Sequence, residues 1–169
     1  VFYDGVAIGD CQSGQVDLGR YSTENLAGVE LAIGQGDDIY KSARVLAAAG
    51  VVSLETDGAV GGSRSGDWQV GVRAASFDTY KGSVKYSQSF GEGWGVSSFG
   101  EYVNSAGDYP YRIENPTTTV GGRRMNTDVE ELRGEVNFSW HKAERHQLRM
   151  KVYGYGYERG LPGGVIVNN

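Results

Sequence analysis

Residues 128–140 alternate without a break, with Leu132, Val136, Phe138 and Trp140 on one parity and Glu131, Arg133, Glu135, Asn137 and Ser139 on the other. A strand keeps those two sets apart because successive side chains point to opposite faces; a helix would mix them. The same period recurs in four more segments. Near residues 68–77, Val70 and Val72 alternate with Gln69 and Arg73; farther on, Val84 and Tyr86 alternate with Lys81, Ser83, Lys85 and Ser87. Over residues 146–157, Leu148, Met150 and Val152 oppose Gln147, Arg149, Lys151, Tyr153, Tyr155 and Tyr157. Residues 94–104 leave their facing open, since Val96 and Tyr102 share one parity and Phe99 and Val103 the other. The expectation is five long antiparallel strands.

Composition narrows where such strands can live. The longest apolar run, residues 45–52, falls far short of the ~20 residues that a helical membrane span needs. Strands that cross a membrane need only ~9–11 residues and alternate, so the mean hydropathy of −0.41 is compatible with a membrane barrel. A net charge of −5 argues against a nucleic-acid partner. The single cysteine, Cys11, permits no internal disulfide, and His141 and His146 alone make no zinc cluster. The first ten residues lack the basic start and apolar core of a secretory signal and begin in mid-pattern.

Residues 1–57 have another texture. Asp4-Gly5 between short apolar pairs reads as a tight hairpin, Thr23 as the cap of a helical turn, residues 28–33 and 50–56 as strands, and residues 42–48 as a short helix: a small mixed α/β unit. The Gly/Ser-rich residues 58–66 form a connector, and residues 67–169 hold the strands. Residues 91–93 and 141–145 are short turns, whereas residues 105–127 form a long polar loop. That contrast is unusual inside a compact soluble domain and ordinary in outer-membrane barrels, which have short periplasmic turns and long extracellular loops. The same topology puts Trp68, Phe90, Trp94 and Trp140 at the short-turn end, where a barrel carries an aromatic girdle.

These residues resemble the TonB-dependent outer-membrane receptors. The resemblance rests on Tyr3-Asp4-Gly5-Val6, on residues 13–18 (SGQVDL), on Val29-Glu30 before Ile33-Gly34, and on the closing residues 49–56 (AGVVSLET), in family order and at family spacing. Tyr40-Lys41 and Ala49-Gly50 depart from the Tyr-Gly and Gly-Gly usual there. The implied fold is mainly β: the C-terminal part of an α/β plug over residues 1–57, then about five antiparallel strands of an incomplete outer-membrane β-barrel over residues 67–169. Residues 159–163 (RGLPG) look like the start of a further extracellular loop, in a form similar to receptors of Bacteroides-like bacteria. On this resemblance the chain is a fragment, without the TonB box, the first half of the plug and most of the barrel.

No constellation for catalysis emerges, and the expectation is a protein that is not an enzyme and has no cofactor or metal. Gly34-Gln35-Gly36 matches neither phosphate-loop pattern, and Glu130 and Glu131 point to opposite faces and cannot converge. Asp37-Asp38 reads as a solvated turn. The candidate ligand-binding residues lie in three places. By resemblance, Cys11, Gln12, Ser13 and Gln15 correspond to an apical plug loop facing the external ligand. Tyr109, Tyr111 and Arg112 combine ring surface with positive charge, suited to anionic or ring-containing ligands; they can equally anchor the loop to the barrel rim. Tyr153, Tyr155 and Tyr157 share a parity with Arg149 and Lys151, which places them in the lumen as an aromatic ladder that contacts the plug or the ligand.

The resemblance implies active uptake, across the outer membrane of a Gram-negative bacterium, of a scarce large solute such as a siderophore or other iron chelate, or a cobalamin. The partners are TonB, outer-membrane lipid, and room for a surface lipoprotein. The alternative is a soluble β-rich surface-binding domain such as a glycan-binding sandwich, whose strands bury their apolar faces against a second sheet.

Overall fold

The computed structural model describes residues 1–9, 15–33, 50–56, 64–114, 119–142 and 146–163. They are mainly β, with antiparallel sheets and almost no helix. The chain divides into two compact units, Val1–Gly58 and Ala59–Asn169.

The first unit holds a four-stranded sheet in the order β2-β1-β4-β3, built from β1 (Phe2–Tyr3), β2 (Val6–Ala7), β3 (Leu26–Ile33) and β4 (Gly50–Thr56). Asp4 (φ 47°) and Gly5 (φ 82°) are both left-handed, the conformation that a two-residue hairpin turn requires, and these two residue types adopt it at low cost. The turn is clasped from outside the hairpin. Asp4 Oδ1 accepts from the Thr56 backbone N–H at 2.7 Å, and Asp4 Oδ2 accepts from the Thr56 hydroxyl at 2.7 Å. These bonds tie the turn to the end of β4, which runs parallel to β1 with Tyr3 opposite Leu54. Tyr3 and Leu54 are buried, and the Tyr21 ring packs 4.6 Å from that of Tyr3.

The turn expected at Thr23 forms as a single hydrogen-bonded turn, with Asn25 N–H donating to the Ser22 carbonyl at 3.1 Å, and the 3-10 element lies earlier in the chain. A 3-10 turn spans Leu18–Arg20, and the Asp17 carboxylate caps it by accepting from Gly19 N–H at 2.9 Å. An anionic cap suits the positive end of a turn better than a threonine hydroxyl does. Thr23 instead follows Ser22, whose hydroxyl accepts from Glu24 N–H at 3.3 Å. The helix expected over residues 42–48 and the Asp37-Asp38 turn lie outside the described residues.

The second unit holds a five-stranded antiparallel sheet of β5 (Asp67–Ala75), β6 (Thr79–Phe90), β7 (Trp94–Ser105), β10 (Val129–Lys142) and β11 (His146–Arg159), each paired with the next. Between β7 and β10 the expected structureless loop carries a ribbon of its own, β8 (Pro110–Glu114) paired with β9 (Thr119–Arg123). Its short alternation, with Tyr111, Ile113 and Val120 half-buried among exposed neighbours, is too brief to stand out in sequence.

Register fixes the two ends of this sheet. Ser105 lies opposite both Thr79 and Val129, and Val129 lies opposite Arg159, so the 76–78 turn, the ribbon connector and the exit from β11 share one end. Trp94 lies opposite Phe90 and Trp140 at the other end. There Gly93 (φ 86°) closes the short turn, and any Cβ on it would collide with the His141 carbonyl. Trp68 departs from the expected row: it sits farther along, opposite Tyr86, with ring centroids 4.5 Å apart, because β5 begins only at Asp67.

The clasp gives a direct test. Hydrogen bonds to a charged group contribute ~1.5–3 kcal/mol each way of counting, so Asp4→Ala should speed hydrogen exchange at the Thr56 amide by roughly ten- to a hundredfold. Asp4→Asn, which tolerates the same φ and keeps one acceptor, should do so less. Unchanged exchange in both variants would mean that the clasp holds nothing.

Candidate functional site

The five-stranded sheet sorts its side chains by chemistry: the polar face is buried over the central strands β6, β7 and β10 and opens at β5 and β11, while most of the aliphatic side chains of the other face are exposed. Val70, Val72, Leu132, Leu148, Met150 and Val152 are exposed, while Lys85, Ser97, Glu101, Arg133, Glu135 and Ser139 are buried. Cross-strand register places all of the latter on one face. On the apolar face, charged residues occur only at strand ends: Glu130 and Glu158 at one, Lys142 at the other. A sheet packed on an ordinary protein core has the opposite arrangement.

Phe99 and Val103 lie on the polar face, and Val96 and Tyr102 on the apolar one, which resolves the ambiguous segment. The polar face wins Phe99 and Val103 because Glu101, between them, sits directly opposite Arg133 and Ser83. The Glu101 side chain is 1% exposed. Its Oε2 lies 2.7 Å from Lys81 Nζ and its Oε1 lies 3.1 Å from Arg133 Nε. Arg133 also reaches Glu131, which in turn meets Arg159 at 3.5 Å. A second group joins Glu135 to Lys151 at 2.9 Å and to Asn137, whose amide donates to Glu135 Oε1 at 2.6 Å and to Ser97 Oγ at 3.2 Å. Burying so many charges is tolerable only because each carboxylate meets a cation or an N–H donor.

The β11 tyrosines share this face. Glu135 lies opposite Tyr153, Arg133 opposite Tyr155 and Glu131 opposite Tyr157. The Tyr155 and Tyr157 rings stack with centroids 5.6 Å apart, and the Arg133 guanidinium lies 5.5 Å from the centre of the Tyr155 ring. Tyr155 thus joins the ion network through a cation–π contact.

The loop candidates are built differently. Arg112 is exposed and its Nε lies 3.0 Å from Glu114 Oε1, so its charge is partly neutralised within the ribbon. Tyr111 lies over Gly122, the residue opposite it. Tyr109 packs edge-on against Phe77, with centroids 6.1 Å apart. Cys11, Gln12 and Ser13 lie outside the described residues, and Gln15 is exposed in the first unit. Sequence reasoning missed Glu101 as the centre of the ion network and Phe77 as the partner of Tyr109. For Glu101 a signal existed: an isolated acid between two apolar residues on a strand whose neighbour carries an unmatched arginine. No protein-family model matches the chain, and no curated protein matches it either.

The network predicts a non-additive pair. Glu101→Leu alone removes the carboxylate that Arg133 and Lys81 share and should destabilise the sheet by about 3–5 kcal/mol. The double variant Glu101→Leu with Arg133→Met should recover much of that loss. A denaturant-unfolding cycle in which the two changes simply add would remove the network from the account of this face.

Proposed function

We propose that the chain is part of a TonB-dependent outer-membrane receptor, with the five-stranded sheet as a sector of the transmembrane barrel and the first unit as part of its plug. The observation that carries the reading is the inverted sorting of the sheet, apolar side chains exposed and charges buried, which matches a wall with lipid on one side and a polar lumen on the other. A glycan-binding sandwich would bury the row that is exposed here, and that weighs against it.

The dimensions support the same reading. On the apolar face Trp94 contacts Phe138 and Trp140, at ring separations of 5.1 and 5.5 Å, and Tyr102 lies toward the other end. Trp94 to Tyr102 is about 26 Å along the strand at ~3.3 Å per residue, or about 20 Å across a membrane at a tilt of ~40°. An outer-membrane barrel carries an apolar band ~25 Å tall between its aromatic girdles. Among the described residues β5 and β11 pair on one side only; such edges cannot lie unpaired in lipid, so the reading includes further strands that close the wall.

On this reading the buried polar face lines the lumen, with Tyr153, Tyr155 and Tyr157 toward its external mouth, and the ribbon with Tyr109, Tyr111 and Arg112 faces outside. The function is binding and TonB-energised import of a scarce large solute, an iron chelate or a cobalamin-like molecule, with no catalytic step. Binding drives import only through contacts that differ between closed and open states of the plug.

Val136, exposed midway along β10, and Phe138 beside it test the facing. In the full-length receptor, Val136→Arg should cost ~2–4 kcal/mol for folding in lipid if it lies near the bilayer midplane, and Phe138→Arg should cost less if it lies nearer the girdle. Wild-type folding of both in lipid, or a water-soluble monomer that needs no detergent, would overturn the membrane reading. For orientation, cysteine at Ala106 in a protein lacking Cys11 should react with a membrane-impermeant thiol reagent on intact cells. Labelling only after the outer membrane is broken would reverse the topology.

A further inference from the structure

Phe77 stands in a conformation that its residue type disfavours. In the turn joining β5 to β6 it has φ 63°, and Asp78 after it has φ 52°. Left-handed backbone brings Cβ against the following carbonyl oxygen, a cost that glycine escapes and that asparagine and aspartate offset by local hydrogen bonds; a bulky aromatic has neither relief. The Phe77 ring is not driven there by burial, since it remains about half exposed. Something in the surroundings holds the strained residue in place.

Two neighbours border it: the hairpin itself, closed by Ala75 opposite Thr79 and by the Thr79 hydroxyl on the Ser76 carbonyl, and the base of the ribbon connector. The Phe77 carbonyl accepts from Gly107 N–H at 3.2 Å, and the Gly107 carbonyl accepts from the Thr127 hydroxyl at 2.6 Å, drawing the start and the end of the connector together. The Phe77 ring meets the Tyr109 ring edge-on. From Tyr109 the path enters the ribbon: its carbonyl accepts from Arg124 N–H at 2.9 Å, and the neighbouring Asp108 carboxylate takes the Arg123 guanidinium at 3.3 Å. One strained turn therefore touches both the backbone and a ring at the root of the arm that carries Tyr111 and Arg112.

We infer that Phe77 is the positioning residue of the solute-facing ribbon, a strained latch in the 76–78 turn that fixes the ribbon's root through Gly107 and Tyr109. Glycine or asparagine at position 77 would make a better turn and a looser arm; phenylalanine gives up turn stability for a ring that Tyr109 can grip. That the arm faces solute rests on the receptor reading above. The latch does not, and its test needs no ligand.

The test separates turn from arm. In the full-length protein, folded in the same lipid or detergent as wild type, Phe77→Asn should relieve the backbone and slow hydrogen exchange of the β5 and β6 amides nearest the turn by about threefold or more. It should also speed exchange of the β8 and β9 amides, and protease cleavage of the connector, by about two- to tenfold, the range expected for loss of one aromatic pair. Phe77→Tyr keeps both the ring and the strain and should behave as wild type at both places. Tyr109→Ala should loosen the arm without slowing exchange at the turn. A merely structural contact would loosen both places together in Phe77→Asn, and that outcome overturns the proposal, as would an arm whose exchange and cleavage are unchanged. If the chain proves not to insert in lipid but the opposite-signed response persists, the latch stands while the receptor reading falls.

Discussion

The pairing of buried charge on one face of the five-stranded sheet constrains everything else in the second unit. Glu101 is almost wholly enclosed and meets Lys81 from β6 and Arg133 from β10, so a single carboxylate bridges three strands. A slip of one residue in β7 would carry Glu101 to the face of Val84 and Leu132 and leave both cations without it. Apolar sheets tolerate such slips when both faces are alike. Here the two faces differ in kind, and the misaligned state would place a carboxylate among aliphatic side chains while taking from Lys81 and the buried Arg133 the carboxylate they share.

With register held in this way, the two ends of the sheet acquire their separate characters. The aromatic row Phe90, Trp94 and Trp140 comes into line only because β6, β7 and β10 are in step from the ion network downward. The same alignment brings Gly93 against the His141 carbonyl, where a side chain would not fit, and that contact closes the turn tightly. At the other end, Thr79 and Ser105 share a hydroxyl hydrogen bond at 2.7 Å, which sets the 76–78 turn beside the root of the ribbon. The strained Phe77 thus depends on pairing several residues away along the strands.

Much of this was legible in sequence, for one physical reason: a face that carries charge only at its strand ends leaves a parity record along the middle of each strand. Residues 131–140 and 147–157 carried that record, and which of their side chains share a face followed from it. Residues 94–104 did not, because Phe99 and Val103 add apolar residues to the charged row, and only the cross-strand position of Glu101 decides between the two parities. The ribbon inside the connector was illegible because its strands are short and lack any hydrophobic row long enough to count. The 3-10 turn at Leu18–Arg20 was missed because three residues carry no periodicity to count, although Asp17 is a better cap than Thr23. Of the candidate site, the shared face of Tyr153, Tyr155 and Tyr157 followed from parity, whereas the neutralisation of Arg112 by Glu114 and the grip of Phe77 on Tyr109 depend on side-chain geometry that spacing does not encode.

The join between the tyrosines and the ion network gives the proposed lumen its chemical character. Arg133 is shared among Glu101, Glu131 and the Tyr155 ring, so the three contacts are coupled through one guanidinium. A ring or a carboxylate arriving at Tyr155 and Tyr157 would meet a cation already committed to two carboxylates. It gains affinity only where it shares that cation without displacing Glu101. Planar or weakly basic groups that stack on the tyrosines meet this condition, and compact anions that draw Arg133 outward do not, because the buried Glu101 would then lose a partner. On the receptor reading proposed above, the network that fixes the register of the sheet would also limit which solutes its polar face could hold, so that one set of residues would serve both assembly and selectivity.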